Sequence, residues 1–187
     1  EVVTFDDFFV PNVSLDEGSI DANFYQHEVF LNNYNSEKGT NIVMLDPSMY
    51  NYFLGFYAKE VASVDELPEG GKIGIANDAA NIDQFLRVMD KWGIIGLTDE
   101  EKDLYGTADI VDNPKNFEFV QLDYTQRCAA YDGGDLAAMV CASNTMYMAG
   151  LNPTENLFFD EVDNDYALGI CINANTYSLD DQWVQDM

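Results

Sequence analysis

One stretch of the sequence leaves little choice of structure. Residues 72–76 are a short, mostly apolar run, and beyond them Ile82, Phe85, Leu86, Met89 and Trp92 recur at intervals of three and four until Gly93. The first pattern is that of a buried strand. The second is an amphipathic helix with one apolar face, opened by Asn77-Asp78 and stopped by glycine. A strand that feeds directly into a helix is the building unit of α/β proteins. The same alternation runs along the chain. Strands are expected over 2–5, 19–22, 41–45, 117–122, 136–141 and 166–172, with an aromatic extended segment over 50–57. Helices are expected up to Gly18 after a break at Pro11-Asn12, over 24–34 with Asn23 as cap, over 124–131, over 144–149 and from 180 onward. Thr98-Asp99-Glu100-Glu101 has the signature of a capped helical turn. The pattern implies largely parallel sheets, in one domain of ordinary size or two small lobes.

Charge narrows the function. The chain has 187 residues, with 34 acidic side chains against 8 basic ones, a net charge of −26. Such a chain repels phosphates and has no cationic patch to release counterions, which excludes nucleic acid as a partner. An anionic membrane surface would repel it for the same reason. With 13% aromatic residues it has ample material to bury and is no disordered acidic tail. No apolar run reaches the ~18 residues that spanning a bilayer requires.

The residues of catalysis and metal binding do not assemble in the sequence. His27 is the single histidine, no Gly-x-Ser-x-Gly elbow or phosphate-cradling glycine loop occurs, and Cys128, Cys141 and Cys171 are widely spaced. One histidine and scattered cysteines make no zinc pattern, and the cysteines read as buried thiols. The acidic run 160–165 lacks the EF-hand spacing and reads as a solvated loop. No cofactor, no metal and no enzymatic activity are expected.

Several segments together resemble the methionine-binding lipoprotein family (NlpA/MetQ type), the substrate-binding components of ABC importers. They are Val3-Thr4-Phe5-Asp6-Asp7-Phe8 with Pro11-Asn12, Asp16-Glu17-Gly18-Ser19-Ile20-Asp21-Ala22-Asn23, Tyr25-Gln26-His27, and the Ser-Val-Asp-Glu-Leu-Pro-Glu-Gly of 63–70. Ala76-Asn77-Asp78, Asn113-Pro114-Lys115-Asn116 and Ala149-Gly150-Leu151-Asn152-Pro153 continue the pattern in the family's order. The resemblance implies a periplasmic-binding-protein-like α/β fold (type II), with two lobes, crossover strands at 50–57 and 166–172, and a ligand cleft between the lobes. The first lobe would comprise 1–52 and 168–187, the second 53–167. The family pattern begins with a strand and helix ahead of the position of Val2 and continues with helices past Met187. Measured against it, the first lobe is expected to be incomplete.

The resemblance also implies a binding site. An amino-acid ligand presents a carboxylate, an ammonium and a side chain, and a thioether side chain favours aromatic surroundings. Phe8, Tyr25, His27, Phe30 and Tyr52 fall at the family's aromatic and histidine positions, with Asn81 and Gln84 at polar ones; a further polar position falls at Asn144 or, in a shifted match, at Ala142. Two departures stand out. Gln84 occupies the position of the carboxylate-binding arginine, and Leu168 that of an asparagine. Arg87, one turn beyond Gln84, is a candidate substitute. The partners implied are a small amino acid or short peptide and the membrane subunits of the importer. The location implied is outside the cytoplasm, held to the membrane only through a lipid anchor missing from this chain. The alternative is a surface interaction protein on the same scaffold with a degenerate cleft.

Overall fold

The computed structural model describes residues 1–187. Its elements, in chain order, are α1 (Val10–Asp16), β1 (Ala22–His27), α2 (Glu28–Lys38), β2 (Ile42–Met44), β3 (Leu54–Ala58), β4 (Lys72–Ile75), α3 (Ala79–Lys91), β5 (Gly96–Leu97), β6 (Ile110–Asp112), β7 (Glu118–Gln121), α4 (Tyr124–Gly133), β8 (Ala138–Ala142), α5 (Ser143–Met148), β9 (Leu157–Glu161), β10 (Leu168–Asn173) and α6 (Gln182–Gln185). They divide into two compact units, Glu1–Asn51 with Asp163–Met187, and Tyr52–Val162. No helix is long and apolar enough to cross a membrane.

The first unit is built on a three-stranded sheet of order β1-β10-β2, antiparallel throughout. Leu15 of α1, Leu31 and Tyr34 of α2, Ile42 of β2 and Cys171 of β10 pack into its core. Gly39 adopts a left-handed conformation (φ 69°) and ends α2, donating its N–H to the Asn35 carbonyl at 2.8 Å.

The second unit is built on a five-stranded mixed sheet of order β7-β4-β8-β3-β9, with β5 and β6 forming a separate ribbon. β4 runs parallel to β7 and β8, whereas β3 is antiparallel to β8 and β9. Alternation along the central strands sends side chains to opposite faces. Leu54, Phe56, Ala138 and Val140 pack with Ile82, Phe85, Leu86 and Met89 of α3. Tyr57, Met139 and Cys141 pack with Cys128 and Tyr131 of α4. Both faces are thereby covered, and the strands are apolar on both sides.

Five expectations are corrected. Residues 2–5 form no strand; Val2 and Val3 are exposed and have no ladder to join. Pro11 does not break the chain but sits in the first turn of α1, where its missing N–H is harmless. Residues 24–27 are strand rather than helix, because β1 pairs with β10 and the ladder overrides the helical spacing. Thr98-Asp99-Glu100-Glu101 makes only a local turn, in which the Thr98 hydroxyl accepts the Glu100 N–H at 3.3 Å. The sheets are also not largely parallel; parallel pairing is confined to β4 and its two neighbours.

Candidate functional site

In the first unit the expected residues cluster around β1. Phe8 stacks on Tyr25 with ring centroids 6.2 Å apart, and Phe30 of α2 meets Tyr25 edge-on at 6.0 Å. His27 lies edge-on to Phe30 at 6.2 Å and to Tyr166 at 4.9 Å. The histidine is not on a helix face: it is the N-cap of α2, its Nδ1 accepting the Phe30 N–H at 3.1 Å. That bond assigns the Nδ1 lone pair to the backbone and leaves Nε2 to carry the proton of a neutral ring. Phe9, 6.2 Å from Phe30, and Tyr166 belong to the same aromatic group and were not among the expected residues. Adjacency to Phe8 was the available signal for Phe9; nothing local pointed to Tyr166.

Polar side chains fix the strand that carries Tyr25 and His27. Asn12 of α1 is fully buried, and its Nδ2 donates to Gln26 Oε1 at 2.8 Å. Its Oδ1 accepts from Asn23 Nδ2 at 2.9 Å and from Gln26 Nε2 at 2.7 Å. These three amides come from the Pro11-Asn12, Asn23 and Gln26-His27 segments that carried the resemblance. Their role is to clamp α1 onto β1. Asn12→Ala removes a donor and a twice-used acceptor and leaves the amides of Asn23 and Gln26 with lost partners. It should lower stability by about 1–3 kcal/mol, measured as a shift in urea midpoint at unchanged slope. An unshifted midpoint would contradict this role.

In the second unit Asp78 caps α3, its carboxylate accepting the Asn81 N–H and Nδ2, each at 2.9 Å. Asn81 is thus bound to its own helix cap. Gln84 is buried (3% exposed), and the Tyr52 hydroxyl donates to its Oε1 over a long 3.5 Å. The next residue, Phe53, accepts the Ser143 N–H at 2.9 Å and donates its own N–H to Ser143 Oγ at 3.3 Å. This exchange ties the start of α5, and so Asn144, to the segment that bears Tyr52. The Oδ1 of Asn144 is buried and has no hydrogen-bond partner. A buried acceptor left so costs about 1–3 kcal/mol relative to a satisfied one.

The candidate substitute for the arginine is otherwise engaged. Arg87 Nε meets both carboxylate oxygens of Asp83 at 2.9 Å, and its guanidinium lies 4.6 Å from the Tyr105 ring. Asp83, 2% exposed, also accepts the Tyr105 N–H at 2.7 Å. Arg87 therefore helps fasten α3 to the 102–105 segment. Leu168 is a buried residue of β10 that pairs with Tyr50. In the acidic run, Glu161 pairs with Lys91 at 2.7 Å and Asp163 accepts the Asp165 N–H at 3.0 Å. Nowhere do three or more His, Cys, Asp or Glu side chains converge as a metal ion would need. A hollow of about 290 Å³ beside Tyr147 and Gly150–Pro153 includes none of the expected site residues.

The profile of the NlpA lipoprotein family matches residues 1–187. The chain is 33% identical over 167 residues to the D-methionine-binding lipoprotein MetQ of Escherichia coli O157:H7, covering 89% of this chain and 61% of that protein. It is likewise 33% identical over 169 residues to outer membrane lipoprotein 1 of Mannheimia haemolytica, covering 89% of this chain and 60% of that protein. The chain thus spans about three fifths of the length of these relatives. Among solved structures, a periplasmic substrate-binding protein of an ABC transporter from Coxiella burnetii superimposes with a TM-score of 0.90 at 28% identity, over 100% of this chain and 77% of that one. A nutrient-binding protein from Burkholderia cenocepacia bound to methionine gives a TM-score of 0.88 at 30% identity, over 99% of this chain and 76% of that one. The α/β fold is that of the periplasmic substrate-binding proteins.

Proposed function

The chain belongs to the NlpA lipoprotein family, and from that premise we propose that it captures a small zwitterion outside the cytoplasm for an ABC importer. The ligand class is a methionine-like amino acid or a short peptide, delivered to the membrane subunits without chemical change. The observation that carries this reading is the buried, unpartnered Oδ1 of Asn144. An ammonium group supplies the donor that such an acceptor lacks, in a charge-assisted bond stronger than a neutral one. The ring cluster of Phe8, Tyr25, His27 and Phe30 supports it, since thioethers and apolar side chains pack favourably against aromatic rings. Tyr52 and Gln84 offer neutral polar contacts and Asn81 stands one turn before Gln84 on α3. Attachment to the membrane would come from a lipid anchor, as the names of the relatives suggest.

Isothermal titration with L-methionine, other amino acids and dipeptides tests the proposal. At least one zwitterion should bind, and Asn144→Ala should weaken it about tenfold or more, the value of one charge-assisted bond. If no member of the panel binds, the amino-acid reading fails. Binding unaffected by the substitution would remove Asn144 from the site.

A second reading has one observation in its favour. Gln84 stands where the family resemblance places an arginine, and Arg87 is held by Asp83. A chain that has given up carboxylate recognition suits a surface interaction protein on the same scaffold. Absence of binding across the panel supports that reading.

A further inference from the structure

Outside the candidate site, the second unit contains a buried group that ligand capture does not use. Cys128 of α4 and Cys141 of β8 lie with their Sγ atoms 3.9 Å apart, both essentially without solvent exposure. That separation is van der Waals contact between two thiols facing each other across the helix–sheet interface. The third cysteine, Cys171, belongs to the other unit and packs with Leu15, Leu31 and Tyr34.

Arg127 is the neighbour of Cys128 on α4 and is only 4% exposed. Its Nη1 donates to the Leu122 carbonyl at 3.1 Å, its Nη2 points at Cys141 Sγ from 4.0 Å, and its Nε has no partner. The guanidinium also lies 5.1 Å from the centre of the Phe85 ring, and no carboxylate is in ion-pair contact with it. Room for its stem comes from Gly74, where a Cβ would meet Arg127 Cγ at 3.0 Å and Leu136 Cδ1 at 2.6 Å. A buried cation without an anion is costly, and a thiolate at Cys141 supplies the missing charge. The hydrogen bond from the Cys128 thiol, with the guanidinium behind it, draws the Cys141 thiol below its ordinary value, while Cys128 is held protonated. One sulfur is thus disposed as nucleophile and the other as resolving thiol.

We propose that Cys128 and Cys141 form a redox-responsive pair that closes to a disulfide when a small peroxide reaches it. The steps balance. The Cys141 thiolate attacks one oxygen of hydrogen peroxide, the O–O bond breaks, and a sulfenic acid and hydroxide result. The Cys128 sulfur then attacks the Cys141 sulfur, the S–O bond breaks, and the departing hydroxide takes the Cys128 proton as water. The first hydroxide takes up the proton that Cys141 had released. In sum two thiols lose two electrons, and one peroxide becomes two waters. The product ties α4 covalently to β8, three residues before Asn144. The inference does not depend on the identity of the ligand.

The test is a thiol count on the intact chain. Fully reduced protein is exposed to hydrogen peroxide under native conditions, quenched with catalase, denatured, alkylated and weighed. Three alkyl groups are expected on the reduced protein and one on the peroxide-treated protein. Peptide mapping should place the remaining thiol at Cys171 and show a 128–141 linkage that dithiothreitol reverses. Cys171→Ala should still form the linkage, and Cys128→Ala should instead carry Cys141 forward to sulfinic acid. Three alkyl groups after peroxide, a linkage that includes Cys171, or unlinked oxidation at Cys141 in the unmutated chain would each overturn the proposal.

Discussion

Replacing Gln84 by arginine is expected to tighten L-methionine binding about a hundredfold, because a charge-assisted fork on a carboxylate contributes about 2–3 kcal/mol. Gln84 sits on α3, buried at 3% exposure, with its Oε1 facing the Tyr52 hydroxyl. The position is desolvated, and a carboxylate placed against it now meets only an amide. An arginine there regains a fixed pair of parallel N–H donors. The gain should be confined to ligands that bring a carboxylate. L-methionine methyl ester should bind both proteins alike, and Gln84→Lys should show a smaller gain because a point charge cannot form the fork. Titration calorimetry with the three ligand–variant comparisons, and circular dichroism to establish that the variants fold, gives the answer. Equal affinity of the parent chain and Gln84→Arg for L-methionine would remove Gln84 from the carboxylate's surroundings.

The second large effect is on stability. The melting temperature should rise by on the order of 10 °C between low-salt buffer and about 1 M sodium chloride, where the screening length falls from about 30 Å to about 3 Å. The cause is the net charge of −26. Four of the eight basic residues are in ion pairs, those of Lys59, Arg87, Lys91 and Lys102, and Arg127 is buried among thiols. Most carboxylates therefore face one another across the surface with no cation between them. Each exposed pair repels by only a few tenths of a kcal/mol, but folding concentrates dozens of them, and the sum reaches several kcal/mol. At about 2–4 °C per kcal/mol for a chain of this size, screening that sum yields the expected shift. Thermal melts over a salt series measure it. A flat or falling melting temperature would show that the acids are compensated locally, and replacing a group of exposed acids by their amides should shrink the salt gain.

Part of the local structure around the candidate residues could be read before the structure, and the reasons for the remainder are specific. The α3 cap at Asp78 and the glycine stop at Gly93 were legible because both depend on residues within one turn. The assignment of 24–27 to a helix failed because Tyr25, Val29 and Phe30 satisfy a helical period while β10, some 145 positions away, supplies a strand partner. That error also misplaced His27, whose use as a helix cap follows from the strand ending at that residue. Tyr166 was missed for a related reason: its ring meets His27 across more than a hundred positions of sequence.

By itself the sequence determined the α/β class, the order of most elements, the family and the strongly acidic charge balance. The class and the order of elements rest on short-range periodicity and local caps, the charge balance on composition, and the family on the identity and order of its motifs; none of these needs knowledge of the folded chain. Only the tertiary structure decided strand direction, the clamp of Asn12 with Asn23 and Gln26, the unpartnered acceptor of Asn144, and the meeting of Cys128 with Cys141 beside Arg127. Each is a contact between segments joined only by folding. The burial of a polar atom, and the identity of what satisfies it, are properties of that closed arrangement and have no signature in spacing.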